Sequence, residues 1–446
     1  MLHSAAVVDD HISKKITKGF FTMKKLLNRR FLVLAAVLIA VVVVAGVSAQ
    51  DSLIRYASNA SDEGPRGQDE AMVARWNEQH PDQPIEHSVT DHEAFKQAIR
   101  TYLVADPAPD VLTWFAGNRM AFFVDRGLAA DLSPLYEREG WYDSYAPGFV
   151  ALATAGEGQY FVPTSYYWWA MYFRRSIMEA NGLTAPATWD ELLATCDTLS
   201  AAGITPITIG TRAPWTAAAW FDFLNMRING PEFHINLMLL KESYTDERVV
   251  AVFDHWRQLY EHNCFLPDSA AYEWQEALDF MNRGEAAMYL MGDFIRDSVP
   301  DEIESDLDFE MFPVINPDMP IGIDAPTDGF FMSAASGNPE GAYDFLAFIG
   351  SAEEQQFAAD NLGRLPTRMD VDTSGFSEAQ QKGIGLVQSA DYVAQFYDRD
   401  TTPEMAEAGL NAFAEFISDP MNADVTALLE SLEADRVRIA AEQAAE

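Results

Sequence analysis

Asp110-Val111-Leu112-Thr113-Trp114-Phe115-Ala116-Gly117-Asn118-Arg119 decides the reading of the fold. A run of apolar, β-branched and aromatic side chains ends at a glycine and two polar residues, the pattern of a strand that stops at a loop. Similar units lie on either side. Leu53-Ile54-Arg55-Tyr56 reads as a strand that stops at the polar loop Ser58-Asn59-Ala60-Ser61-Asp62, and a helix follows through Met72, Val73 and Trp76 to Pro81. Downstream, Phe161-Val162 leads into Pro163 and the aromatic cluster Tyr166-Tyr167-Trp168-Trp169. Thr188 and Glu191 have the spacing of a capping box and open a helix that ends at Gly203, before the strand-like Ile204-Thr205-Pro206-Ile207-Thr208-Ile209. Ala286-Ala287-Met288-Tyr289-Leu290 runs into Met291-Gly292-Asp293-Phe294, and Gly329-Phe330-Phe331-Met332 is a short strand before the helix that follows Asn338-Pro339. Strands alternating with helices imply α/β layers.

The chain has 446 residues and is 48% hydrophobic, enough for two packed lobes and too long for one simple core. There is no tandem repeat and no low-complexity linker. Two lobes without a linker are expected to be joined by strands that cross between them, which makes each lobe discontinuous in sequence.

The N-terminal segment reads as an address. A basic stretch from Met23-Lys24-Lys25 to Arg29-Arg30 precedes an apolar run from Phe31 to Val47, and Val47-Ser48-Ala49 supplies small residues before Gln50. This order is that of a secretory signal cleaved near Ala49, with residues 1–22 as an upstream extension. No cysteine follows the run to carry a lipid anchor, so a free periplasmic protein is expected. Without residues 1–49 the chain keeps 23 Lys+Arg against 66 Asp+Glu, about −43 in net charge, and only Lys96, Lys241 and Lys382 as lysines. That balance argues against nucleic-acid and anionic-membrane partners, and suits a saline habitat or a general acidic bias equally. Cys196 and Cys264 would meet an oxidising compartment, and the sequence leaves open whether they pair.

Enzyme motifs are scarce. There is no G-x-S-x-G, H-E-x-x-H, Walker loop or C-x-x-C. Asp370-x-Asp372-x-Ser374-Gly375 begins like a calcium loop, but Gln381 stands where a bidentate carboxylate is needed, so a polar surface turn is expected. His87 and His92 lack a third metal ligand at useful spacing. No cofactor is expected. Among so many acidic residues a glycosidase-like carboxylate pair carries no information by itself. The informative pattern is aromatic. Trp114, Trp168, Trp169, Trp215 and Phe294 lie at strand ends or in loops beside small or polar residues such as Asn118, Thr164, Thr211 and Asp293. Ligands of open α/β sheets bind beyond strand C-termini. A sugar there needs flat apolar faces for its C–H side and amides, carboxylates or guanidinium groups for its hydroxyls.

At these residues the chain resembles the extracellular solute-binding proteins of carbohydrate ABC importers (family 1). The resemblance rests on Asp110–Arg119 followed by Gly127-Leu128-Ala129-Ala130-Asp131-Leu132, on Pro186-Ala187-Thr188-Trp189-Asp190-Glu191-Leu192 and on Gly284-Glu285-Ala286-Ala287-Met288. Pro326-Thr327-Asp328-Gly329-Phe330 and Gln395-Phe396-Tyr397-Asp398-Arg399-Asp400 extend it over essentially the whole mature chain. It implies a periplasmic-binding-protein type II fold, with residues 50–165 and 326–366 as one lobe, 166–325 and 367–446 as the other, and a sugar cleft at the hinge between them. It also implies a carbohydrate ligand, the permease subunits of an ABC importer as partners, a monomer, and no bond chemistry. The implied ligand residues are Asn59 and Asp62 in the first loop, Trp114 as a stacking ring with Asn118 beyond it, and Tyr167 and Trp168 past the first crossover. Trp215, Asp293 and Phe294 follow in the second lobe, with Asp328 and Gly329 at the return crossover and Arg399 in the C-terminal segment. Phe294 stands where the family often has a tryptophan. A secreted glycosidase or lyase, and a receptor for a phosphodiester or polyamine, are the competing readings.

Overall fold

The computed structural model describes residues 52–443, so the expected signal peptide and its cleavage site near Ala49 lie outside the described residues. Among the described residues no helix is long and apolar enough to cross a membrane.

Two sheets organise the chain into two α/β lobes. The first has six strands in the order Leu365–Pro366, Val162–Tyr166, Thr327–Met332, Val111–Phe115, Ile54–Ser58 and Ile85–Val89. The last three of these run parallel, while Thr327–Met332 is antiparallel to both its neighbours. The second sheet has four strands in the order Leu307–Glu310, Trp169–Arg174, Ala286–Gly292 and Thr205–Ile207. Each sheet has its own apolar core. The first is built on Ile54, Phe95, Leu112, Trp141, Phe331 and Phe345. The second is built on Trp169, Leu192, Trp220, Trp256, Tyr289 and Phe413. The first core draws on residues 54–162 and 330–349 and the second on 167–323 and 371–439, with Ala359 and Leu365 reaching the second from beside the first sheet, so both are discontinuous in sequence.

The crossings follow from strand pairing. Val162–Tyr166 belongs to the first sheet, and three residues later Trp169 begins a strand of the second. The return passes from Gly322–Asp324, paired with Tyr392–Ala394, directly to Thr327–Met332. The Thr188 capping box forms as its spacing implies: Thr188 Oγ1 accepts from the Glu191 amide and Glu191 Oε2 accepts from the Thr188 amide. The first helix begins earlier than its apolar stripe of Met72, Val73 and Trp76, at Glu63, where the extended Asp62 ends the loop and its carbonyl accepts from the Arg66 amide. Cys196, on the helix Trp189–Ala201, forms a disulfide with Cys264, which lies just past the helix Glu247–Glu261; their Cα atoms are 5.0 Å apart. Asp370 pairs with Arg368 and Asp372 Oδ1 accepts from the Ser374 amide, so the calcium-like stretch satisfies its own carboxylates.

Candidate functional site

A cleft of about 1090 Å³ lies between the two sheets and is lined from both lobes. Its first wall is made by strand ends. Ile54–Ser58 and Val111–Phe115 run parallel and finish there, delivering Asn59 and Phe115, and Asp328 is paired with Phe115 and Ser165 at the same edge. A bulge falls between Asp328 and Gly329. A Cβ on Gly329 would stand 2.1 Å from the Val162 carbonyl oxygen, so only glycine lets these strands approach.

The second wall is aromatic. Phe294 follows the strand Ala286–Gly292 and lies 5.5 Å from Tyr167, 6.0 Å from Trp169, 6.2 Å from Trp215 and 5.4 Å from Trp274, ring centre to ring centre. The contacts to Tyr167, Trp169 and Trp274 are edge-to-face, the arrangement favoured by ring quadrupoles. Trp169 is covered on one face by Phe396 at 4.7 Å, whereas Trp215 and Phe294 remain partly exposed.

Charged groups join these walls, and each cation meets an acid. Arg399 donates to Asp328 and lies 4.0 Å above the Phe115 ring. Lys96 bridges Glu93 at 2.9 Å and Asp398 at 2.8 Å. Arg75 pairs with Glu354, and Arg364 with Asp297 at 2.9 Å. Burial alone would raise the Asp398 carboxyl, but Lys96, Arg119 and Arg399 outweigh it and hold it well below the usual carboxylate range. Burial, with Lys96 and Arg399 nearby, pushes His92 down to about 3, so the cleft holds a neutral imidazole at physiological pH.

Nine of the twelve residues expected from sequence line this cleft: Asn59, Asp62, Trp114, Tyr167, Trp215, Phe294, Asp328, Gly329 and Arg399. Trp114 does so from behind. It is only 1% exposed, its Nε1 donates to the Arg119 carbonyl at 3.1 Å, and Phe123 packs edge-on at 5.5 Å. Three stand apart. Asn118 donates to the Asp400 carbonyl and to Asp400 Oδ1, which fixes the segment Tyr397–Asp400. Trp168 is fully buried, 5.4 Å from Phe309, and lies where a Cβ on Gly383 would be 2.5 Å from its ring. Asp293 has Oδ1 buried without a partner, and burial pushes its carboxyl up to about 7. The cleft is also lined by Trp169, part of the aromatic pattern in the sequence though not one of the twelve ligand residues, and by Trp274, Gln275, Lys96, His92 and Arg364, which the sequence did not single out as ligand residues. Among the described residues no group of three or more His, Cys, Asp or Glu side chains is placed to hold a metal ion.

Two discontinuous α/β lobes with strand crossovers and a cleft between them define a type II solute-receptor fold. The match to bacterial extracellular solute-binding proteins over residues 61–356 shows that the chain belongs to that family. A solved structure of the bacterial solute receptor AcbH, described as exclusively preferring β-D-galactopyranose, superposes with a TM-score of 0.81 at 29% identity, covering 87% of this chain and 99% of that one. A chitin oligosaccharide binding protein gives a TM-score of 0.79 at 19% identity over 86% and 98% of the two chains, a likeness of fold. In sequence, the chain is 23% identical over 357 residues to a Mesorhizobium japonicum protein named "Probable sugar-binding periplasmic protein", covering 77% of this chain and 83% of that protein. An extracellular-binding protein of an ABC transporter from Pyrococcus horikoshii is 23% identical over 349 residues, 76% of this chain and 77% of that protein.

Proposed function

We propose that this solute-binding protein captures a mono- or oligosaccharide and presents it to the permease subunits of an ABC importer. The observation that carries this reading is the pairing of an aromatic wall around Phe294 with an opposite wall of Asn59, Asp328 and Arg399. Rings cover the C–H faces of a pyranose while the polar edge bonds its hydroxyls. The relation to AcbH and to the Mesorhizobium protein supports the same ligand class. The four cations that line the cleft, Arg75, Lys96, Arg364 and Arg399, are each paired with a carboxylate, so a phosphodiester would compete with those carboxylates for positive charge, whereas a neutral sugar needs only the N–H donors the ion pairs leave over.

In this reading residues 50–165 and 326–366 form one lobe and 166–325 and 367–446 the other. Ligand touches both only when they close, and closure expels water and strengthens the hydrogen bonds; closing periplasmic binding proteins are a standard instance of this motion. The protein acts as a monomer in the periplasm after loss of its signal peptide, without cofactor, nucleic acid or bond chemistry. A thermal-shift screen tests the ligand class with galactose, maltose, chitin oligosaccharides, raffinose, a phosphodiester and a polyamine. A sugar at 100 times its Kd raises stability by about 2.7 kcal/mol. A midpoint that moves only with the phosphodiester or the polyamine would overturn the sugar reading.

A further inference from the structure

We propose that Arg364 and Gln275 form a latch that holds the two lobes closed across the cleft before any ligand arrives. The inference rests on the two-lobed receptor reading and concerns residues of this chain alone.

Arg364 sits where the chain enters the edge strand Leu365–Pro366 of the first sheet, beside Tyr166. Its guanidinium divides between the lobes. Nε donates to Gln68 Oε1 at 3.2 Å, on the helix Glu63–Gln79, and Nη2 donates to Asp297 Oδ2 at 2.9 Å, in the turn that follows Phe294. The fork of donors suits this role, since one planar group addresses two acceptors at once. The backbone of the first lobe comes close at the same place: a Cβ on Gly64 would lie 3.6 Å from Asp297 Oδ2.

Asp62 supplies the second contact, and its geometry is unusual for its position. It has the extended backbone of an N-cap at the start of Glu63–Gln79, yet its side chain makes no capping bond. A capping carboxylate ordinarily accepts from its own helix. Asp62 Oδ1 instead accepts from Gln275 Nε2 at 3.3 Å, across the cleft on the helix Trp274–Asn282. The start of this helix is thereby tied to the second lobe directly, through Asp62 and Gln275, and indirectly, through Gln68, Arg364 and Asp297. Because Arg364 is 18% and Asp297 38% exposed, the ion pair is partly screened and its effect modest. A modest bias suffices for a latch, because the closed state then yields readily when the cleft must reopen.

The test uses ligand-free protein, so it stands or falls independently of which ligand binds. Dyes on the exposed positions Glu78→Cys and Glu179→Cys, one in each lobe, report lobe separation by single-molecule energy transfer. Relative to the unsubstituted latch, Arg364→Asp or Asp297→Arg lowers the ratio of closed to open molecules by up to about fivefold. The swap Arg364→Asp with Asp297→Arg restores it, and Asp297→Asn, which keeps the shape and removes the charge, gives an intermediate ratio. Gln275→Leu shifts the ratio in the same direction by deleting the second contact. Circular dichroism confirms that each variant is folded. Distributions identical in all folded variants, or a swap no better than the worse single variant, would overturn the latch.

Discussion

Arg399 donates to Asp328 Oδ1 at 2.6 Å, joining the C-terminal segment Tyr397–Asp400 to the strand that returns the chain to the first sheet. The same guanidinium covers the Phe115 ring, so one side chain ties together three separate stretches of the cleft. Arg399→Met keeps the apolar stem and leaves Asp328 without its cation. Asp328 is 41% exposed, so the loss falls below that of a fully buried pair. The expected effect is roughly 1–2 kcal/mol in sugar affinity, about tenfold in Kd. Calorimetry checks it; unchanged affinity would place the pair outside the binding site.

Trp114 and Trp215 separate packing from stacking. Trp114 is enclosed by Phe95, Phe115 and Phe123, whereas Trp215 is partly exposed on the aromatic wall. Trp114→Ala is expected to cost about 3–5 kcal/mol of stability with little change in affinity. Trp215→Ala is expected to weaken sugar binding by roughly one to two decades, from the lost apolar face of about 1.5–3 kcal/mol, with a smaller change in melting temperature. Paired melting and titration curves distinguish them, and an affinity loss confined to Trp114→Ala would reverse the assignment.

Asp400 makes stability depend on pH. Burial pushes its carboxyl up to about 7, against a smaller lowering by Asn118. The native state therefore prefers the protonated form. This contribution is fully present below the unfolded value of about 4 and is lost as pH rises through about 7. Asp400→Asn, which cannot ionise, should be more stable than the parent at pH 8, and its advantage should shrink toward pH 4. Melting curves across that range test the sign; a variant that gains stability only at low pH would refute it.

The disulfide is expected to matter for persistence more than for the site. Cys196 and Cys264 close a 68-residue separation within the second lobe, away from the cleft-lining residues. Replacing both with serine should lower stability by about 2–4 kcal/mol while sugar affinity stays within about twofold of the parent. Chemical denaturation and calorimetry on the variant measure the two separately.

Strand identity was legible wherever an apolar run met a glycine or polar loop, as at Val111–Phe115 and Ala286–Gly292. Facing was harder to read. Trp168 and Trp169 are neighbours, but successive residues entering a strand point to opposite sides. Only the partners, Gly383 and Phe309 for Trp168 and Phe294 and Phe396 for Trp169, decide which ring meets the cleft. Asn118, a ligand residue in the family resemblance, donates its amide to Asp400, 282 residues away, a partner that no local pattern reveals. Trp274, Gln275 and Arg364 carried no local signal: their place in the cleft depends on how the lobes meet.

The most direct test of the central claim is a titration of intrinsic tryptophan emission with the sugar panel, because Trp215 and Trp274 stand on the wall proposed to stack the ligand. A saturable change with one-site stoichiometry for at least one sugar, strongly weakened in Trp215→Ala, is the predicted result. Emission that stays flat to millimolar concentrations of every sugar, while a phosphodiester or polyamine saturates it, would contradict the account.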